Sequence, residues 1–150
     1  MNKHVQRDRP PSVKSEISAY GERIMMHAVE SLIPYPRNAR THSKKQIRQI
    51  ARSIERFGFT NPVLIDDQNM ILAGHGRVEA ARSLGMDSVP CLRLAEMSEA
   101  EKRAYILADN KIAQNAGWDD ELLATELEFI LDEGIIDIAD TGFSVSEVDT

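Results

Sequence analysis

Residues 74–77 have the sequence Gly-His-Gly-Arg and follow an apolar run directly, with a helical pattern beginning at once. Glycines let backbone N–H groups turn toward one point, and a helix start adds unpaired N–H donors with a partial positive charge. Arg77 falls in the first turn, where a guanidinium can fork onto phosphate oxygens. The pattern predicts an anion site formed by Gly74, Gly76 and Arg77, for a nucleotide phosphate. A tight strand-to-helix turn with Arg77 on the surface is the alternative.

His75 lies inside this segment and is the candidate catalytic residue, as a general base or a metal ligand. The other three histidines, at positions 4, 27 and 42, are scattered and supply no partner at metal-ligand spacing. We therefore expect His75 to be a loop residue near the ligand, with catalysis as the alternative.

Asp109 and Asn110 fall in the middle of a predicted helix, where such residues are neutral at best. Polar residues placed against propensity indicate a ligand role, such as holding Mg²⁺ beside a phosphate. A solvated helix face is the alternative explanation.

Two loop stretches carry further candidates. Arg40 closes the segment RNAR at residues 37–40, and loop arginines can meet phosphate. Thr60 and Asn61 can hydrogen-bond a base or ribose edge. Taken alone, each stretch is also typical of a turn.

The elements that must position these residues follow from periodicity and caps. Apolar residues at helical spacing, with Ser43 as N-cap and Gly58 as the stop, predict a helix over residues 43–57. A capping box of Ser98 and Glu101 opens a predicted helix at residues 98–112, and Asp119 as N-cap and Gly134 as the stop bound a predicted helix at residues 120–133. A further helix is predicted at residues 77–84, and strands are predicted at residues 24–32, 62–66, 70–73 and 88–94. Pro90 implies that the last strand lies at an edge or is irregular.

These elements predict an α+β fold, with a small mixed sheet packed against helices and a C-terminal pair of helices beside the site. Residues 1–22 are polar and contain Pro10-Pro11, which predicts a flexible arm. We expect residues 23–118 to form a nucleotide-binding domain and residues 119–150 an acidic helical extension.

Charge is distributed unevenly along the chain, whose net charge is −6. Residues 37–56 hold seven Lys or Arg against one Glu, whereas residues 119–150 hold eleven acids and no Lys or Arg. The basic residues lie on the polar face of the helix at 43–57, so they predict contacts with a DNA backbone through Lys44, Lys45, Arg48 and Arg52. A solubilising face is the alternative, and no aromatic residues are interleaved to stack on bases.

Composition excludes several classes of protein. No apolar run approaches the ~18 residues of a membrane span, and no signal peptide is evident, so we expect a cytoplasmic protein without a membrane partner. Cys91, the single cysteine, cannot form an internal disulfide and lies in an apolar run, which predicts an inert core residue, with a reactive thiol as the alternative.

Four stretches together resemble the ParB/sulfiredoxin-like superfamily, specifically the ParB N-terminal domain, often labelled "ParB-like nuclease". The resemblance covers roughly residues 24–118 and rests on the segments LIPYPRNAR (32–40), SIERFGFTNPV (53–63), ILAGHGRVEAA (71–81) and Asp109-Asn110. It implies CTP or another nucleoside triphosphate with Mg²⁺, DNA as a partner and a homodimer. Phosphate contacts would fall at Gly74, Gly76 and Arg77, base or ribose contacts near Thr60 and Asn61, and metal or phosphate contact at Asn110.

The chain also departs from the family pattern. His75 and Gly76 stand where the family has Glu and Arg, and Lys111-Ile112 replaces the Gln-Arg that follows the third box. Sulfiredoxins carry a catalytic Cys in this loop, which is absent here. The variant GHGR with RAYILADNKIAQNAGWD (103–119) looks most like the domain found before phage and mobile-element DNA methyltransferases, although no methyltransferase motif occurs in these 150 residues.

Three functions are compatible with the sequence. The first is a nucleotide-binding, DNA-associated module with weak NTPase activity, linked to DNA modification or partition in a phage or mobile element. The second is a metal-dependent nuclease that uses His75, Asp109 and Asn110. The third is a non-catalytic adaptor that docks a DNA methyltransferase or DNA.

Overall fold

A computed structural model describes residues 23–38 and 40–148, with the side chain of residue 148 left out. The predicted arm at residues 1–22 lies outside the described residues. The centre of the fold is a sheet of four strands, β1 (Ile24–Ala28), β2 (Val63–Ile65), β3 (Ile71–Ala73) and β4 (Ser88–Arg93), in the order β1-β4-β2-β3. Strand β4 runs antiparallel to β1 and parallel to β2, and β2 is antiparallel to β3, so the predicted mixed sheet and α+β class are confirmed.

Two predictions about the strands were wrong. Strand β1 ends at Ala28 rather than at residue 32, because Val29–Ser31 forms a 3₁₀ helix in which the Ser31 hydroxyl donates to the Ala28 carbonyl at 2.7 Å. Of the two positions that Pro90 implied for β4, an edge or an irregular strand, the edge was wrong, because β4 is interior to the sheet. Its Pro90 is tolerated because Pro90 lies opposite Met26 of β1, while pairing with β2 begins one residue later, at Cys91.

Local capping sets the ends of the helices. The Ser43 hydroxyl accepts from the Gln46 N–H at the start of the first helix, and Gly58, at φ 87°, ends it. The capping box of Ser98 and Glu101 and the N-cap Asp119 are also formed as predicted. The helices are α1 (Lys44–Phe57), α2 (His75–Ser83), α3 (Glu99–Asn115), α4 (Asp120–Glu133) and α5 (Val145–Val148), with a 3₁₀ helix at Ile138–Thr141.

Two helix boundaries differ from the prediction. Helix α2 starts at His75 rather than at residue 77, because Gly74 follows β3 directly and adopts the left-handed conformation, at φ 106°, that turns the chain into the helix. Helix α3 continues three residues past the predicted end, to Asn115. The helix therefore extends well beyond Asp109 and Asn110.

The core lies where the sheet meets α2 and the 3₁₀ helix at Val29–Ser31. Its fully buried members include Val63, Ile65 and Val89, with Val78 and Ala81 of α2 packed against them. Cys91 belongs to the same cluster, and burial raises the pKa of its thiol to about 11. Its predicted place in the core is confirmed.

Asp66 is a buried carboxylate, 1% exposed, at the turn between β2 and β3. It accepts the backbone N–H groups of Gln68 and Met70 at 2.8 and 2.9 Å, and the ammonium of Lys102 at 3.0 Å. Burial alone would raise the pKa of Asp66, but these three donors outweigh it and hold the pKa below its ordinary value. Because Lys102 belongs to α3, this contact fastens the first part of α3 to the sheet.

Within residues 23–38 and 40–148, no helix combines the length and the apolar character that a bilayer crossing requires.

Candidate functional site

A cavity of about 200 Å³ lies between the loop before α1, the start of α2 and the middle of α3. It brings together three of the stretches singled out from the sequence. The residues that line it are Asn38, Arg40, His42, Ile50, Leu72, Ala73, Gly74, His75, Gly76, Arg77, Asp109, Asn110 and Ala113. Thr60 and Asn61 are exposed and lie outside this lining.

Gly74 forms the corner between β3 and α2 in the wall of this cavity. Its carbonyl accepts the Val78 N–H at 3.0 Å, which is the first bond of the helix. The N–H groups of residues 75–77 therefore belong to the unpaired first turn, where backbone donors and the helix dipole favour an anion. A Cβ at Gly74 would come within 3.0 Å of Arg77 Nη2, so the glycine also makes room for the guanidinium to fold back.

Arg77 is half-buried beside this corner. Its Nη2 donates to the Pro62 carbonyl at 3.0 Å, while its Nε is buried and has no hydrogen-bond partner among the described residues. Burial lowers the pKa of Arg77, and the charge of Asp109 acts in the opposite direction. An unsatisfied donor of this kind is uncommon in a folded protein. An anion bound to the Arg77 guanidinium would accept its hydrogen bond.

Gly76 has a packing role that the sequence did not indicate. It is buried at the contact between α1 and α2, and a Cβ there would lie 2.8 Å from Ile50 Cδ1 and 3.1 Å from His42 Cε1. Glycine at this position therefore allows the two helices to approach closely and keeps His42 in the cavity wall.

His75 holds the neighbouring loop in place. Its Nε2 accepts the Tyr35 N–H at 3.0 Å, so Nδ1 carries the proton of the neutral ring. Burial lowers the pKa of His75, and His42 lowers it further, while Glu79 opposes both. Taking a proton from a ligand at Nε2 would break the bond to Tyr35. The geometry thus supports a positioning role, and catalysis by His75 stays a prediction.

Asp109 and Asn110 lie on the side of the cavity formed by α3. The Asn110 Nδ2 donates to the Ile106 carbonyl at 2.9 Å, and its Oδ1 has no hydrogen-bond partner in the part of the chain that the structure describes. A Mg²⁺ ion bound with a nucleotide needs only one or two protein oxygens, since phosphates and water supply the others. The Asp109 carboxylate and the Asn110 amide oxygen fit that requirement.

A second cavity, of about 350 Å³, adjoins the first and shares Arg40 and Asn110 with it. Three more cationic side chains line it, Arg37, Arg103 and Lys111. Sequence reasoning missed Arg103, although the spacing of residues 103, 107, 110 and 114 indicates one face of a helix.

The predicted DNA-binding residues lie on the polar face of α1. Lys44 and Arg48 line a groove between α1 and α2, and Lys45 is exposed on the same helix. Arg52 is already paired within the chain, since its Nη2 lies 2.8 Å from Asp137 Oδ2 and its Nε lies 2.6 Å from Asp140 Oδ1. Binding of DNA by these four residues stays a prediction.

Comparison with known proteins identifies the class to which this fold and site belong. The model of the ParB N-terminal domain family matches residues 13–111. A relative from Escherichia coli (strain K12), the ParB-like nuclease domain-containing protein YnaK, is 49% identical over 81 residues, which is 54% of this chain and 93% of that protein. The chain belongs to the ParB N-terminal domain family. The predicted association with a methyltransferase-linked subtype stays a prediction.

Two solved structures show the same fold. C-terminally truncated ParB from Caulobacter crescentus, complexed with CTP-gamma-S, is 21% identical and matches 83% of this chain and 74% of its own with a TM-score of 0.68. The same truncated protein complexed to the centromeric parS site is 19% identical and matches 83% of this chain and 68% of its own with a TM-score of 0.50.

Proposed function

We propose that this chain is a DNA-associated module that binds a nucleoside triphosphate with Mg²⁺, with CTP the first candidate, in the cavity between Arg40, Gly74, Arg77 and Asn110. The observation that carries the proposal is Arg77, a residue of the cavity wall beside the unpaired first turn of α2, whose buried Nε has no hydrogen-bond partner among the described residues. Turnover of the nucleotide would make it a weak NTPase. Its setting in DNA modification or partition of a phage or mobile element rests on the sequence resemblance.

The cavity provides the groups that a polyphosphate requires. The first turn of α2 offers backbone N–H groups, Arg77 offers a planar fork of donors, and Arg40 adds a second positive charge from the facing loop. Asp109 and Asn110 would hold the Mg²⁺, which neutralises phosphate charge when bound. The adjoining cavity, with its additional cations, gives room for the rest of the ligand.

The relatives support the same ligand class. The C. crescentus ParB structure that shares this fold holds CTP-gamma-S, and the same protein has been solved with parS DNA. These ligands are transferred here as part of the proposal, together with a homodimer and a methyltransferase partner.

The nuclease alternative receives less support from the geometry. Metal-dependent hydrolysis of DNA is typically carried out by ions held by several acidic or histidine ligands. Across the described residues, no three His, Cys, Asp or Glu side chains lie close enough to hold a metal ion, and Asp109 is the one carboxylate in the cavity lining.

Thermal unfolding with CTP, ATP, GTP and UTP plus Mg²⁺ tests the proposal. A ligand at 100 times its Kd stabilises by about 2.7 kcal/mol, or roughly 5–10 °C for a domain of this size. We expect Arg77→Ala to abolish the shift, whereas Arg82→Ala, on the same helix in an exposed ion pair with Glu79, retains it. Asn110→Ala provides a second variant in case Arg77→Ala unfolds the protein. The proposal fails if no nucleotide shifts the wild-type melting temperature.

A further inference from the structure

The polar face of α1 forms a line of cations beside a groove. Lys44, Arg48 and Arg52 follow each other at four-residue spacing, which extends about 12 Å along a helix that rises 1.5 Å per residue. The groove between α1 and α2, with a volume of about 700 Å³, is lined by Lys44 and Arg48 and also by Arg82. We define the basic face as these four residues, of which Arg52 forms the far end.

An acidic segment of the same chain covers that far end. The 3₁₀ helix Ile138–Thr141 packs against α1, and its Ile138 is buried, at 4% exposed. Asp137 and Asp140 then place one carboxylate oxygen on Arg52 Nη2 at 2.8 Å and one on Arg52 Nε at 2.6 Å. The apolar anchor fixes the segment in position, so the two acids meet Arg52 across 85 and 88 residues of sequence.

This pairing resembles a phosphate contact. Two oxygens on adjacent N–H groups of one guanidinium reproduce the fork geometry with which arginine binds phosphate. The remaining cations of the basic face, Lys44, Arg48 and Arg82, have no such carboxylate pair, and only Arg82 forms an ion pair within the described residues, with Glu79 at 2.6 Å. The groove has no Phe, Tyr or Trp in its lining, and its single ring is that of His42, so its chemistry suits a duplex backbone rather than a stacked single strand.

We propose that the basic face binds the phosphate backbone of duplex DNA, and that Asp137 and Asp140 occupy its Arg52 end and compete with DNA for it. The proposal rests on the DNA-associated part of the proposed function. The Arg52 and Asp137 side chains are 45% and 61% exposed, so their ion pair is screened by salt and is displaceable by a polyanion, whereas Asp140 is 13% exposed and its pair with Arg52 is screened less. The acidic segment thereby determines the affinity of the domain for DNA and the salt dependence of that affinity.

The test compares two variants of the full chain that lose the same charge. Asp137→Asn/Asp140→Asn removes the competing carboxylates and retains an oxygen at position 137 for the Ala139 N–H that it caps. Asp132→Asn/Glu133→Gln removes two exposed acids at the end of α4 and serves as the control. Fluorescence anisotropy with a labelled random-sequence 20-base-pair duplex at 50–200 mM salt gives the Kd and its salt slope.

The expected gain follows from one additional phosphate contact. Such a contact steepens the slope of log K against log salt by about 0.9, which corresponds to roughly 15-fold tighter binding at 50 mM salt and about fourfold at 200 mM. We expect that gain in Asp137→Asn/Asp140→Asn relative to the control. Arg52→Gln should change DNA affinity little in the native chain, where Arg52 is already paired. The same substitution added to Asp137→Asn/Asp140→Asn should remove the gain in affinity.

Equal affinity and slope for the two double variants would overturn the competition, because the acids would then act only through net charge. Absence of DNA binding by every variant at 50 mM salt, with melting curves that show folded protein, would overturn the surface itself. The nucleotide-dependent melting shift of the same samples is independent of both results, so failure here and failure of the nucleotide site are distinguishable.

Discussion

Replacing Asp66 by alanine should be among the most damaging single changes outside the apolar core. The substitution removes the acceptor for the Gln68 and Met70 N–H groups and the partner of Lys102. Each buried donor left without a partner costs about 1–3 kcal/mol. The two backbone donors, whose bonds to Asp66 are part-buried, together therefore predict a loss of up to roughly 2–6 kcal/mol, or on the order of 10 °C in melting temperature for a domain of this size.

Asp66→Asn separates the hydrogen bonds from the charge. An amide oxygen can still accept both backbone N–H groups, while the attraction to Lys102 is lost, so we expect a smaller decrease. Because the folded-state pKa of Asp66 lies below the ordinary value of 3.8, its charge stabilises the fold above that pH and the contribution is lost as the pH falls through the folded pKa. The stability difference between wild type and Asp66→Asn should therefore shrink below about pH 4.

Urea unfolding at pH 7 and at pH 3 measures both effects. Asp67→Ala is the matched control, since Asp67 is the next residue, is exposed and accepts a single long bond from the Glu96 N–H at 3.3 Å. A change within about 0.5 kcal/mol is expected for it. If Asp66→Ala and Asp67→Ala unfold at the same urea concentration, the anchoring of α3 through Asp66 is refuted. A difference between wild type and Asp66→Asn that does not depend on pH would refute the role of the charge.

Three further predictions concern the site and the core. Gly76→Ala should lower stability by about 1–3 kcal/mol, because its Cβ would lie too close to Ile50 and His42, and chemical denaturation measures this loss. The pKa of His75 should lie below its ordinary value of 6.5, so the folded state gains stability as the pH rises through that range; NMR titration giving a higher pKa would contradict this. Cys91 should react with a thiol reagent only after unfolding, since burial raises its pKa to about 11, and rapid labelling of the native protein would disprove it.

Features that depend on neighbouring residues in the sequence were predictable. The N-caps Ser43, Ser98 and Asp119 and the helix end at Gly134 all occur where the sequence places them, because a cap satisfies donors or carbonyls within one turn. The order of the family segments also indicated one site, and the glycine-rich turn at 74–77, the loop with Arg40 and the α3 residues Asp109 and Asn110 do line one cavity.

Features that depend on distant residues were not predictable. Pro90 is interior to the sheet because β1 and β2 flank its strand. Proline is tolerated there because the pairing of β4 with β2 begins one residue later, at Cys91. The close packing of Gly76 depends on α1, and the pairing of Arg52 depends on acids at Asp137 and Asp140. Charge counting indicated a basic and an acidic region, but only the fold shows that they meet.

Thr60 and Asn61, the predicted base or ribose contacts, lie outside the cavity but are not independent of it. Arg77, a residue of the cavity wall, donates through Nη2 to the carbonyl of Pro62, the residue that follows them, while its buried Nε has no partner in the part of the chain that the structure describes. An anion that engages this guanidinium must either keep the bond to Pro62 or break it by rotating the side chain. In the first case the 60–62 segment is fixed to the occupied site, and in the second it is released when the ligand arrives. Either way, the state of Arg77 would couple the proposed anion site to the segment that is expected to contact the rest of the nucleotide.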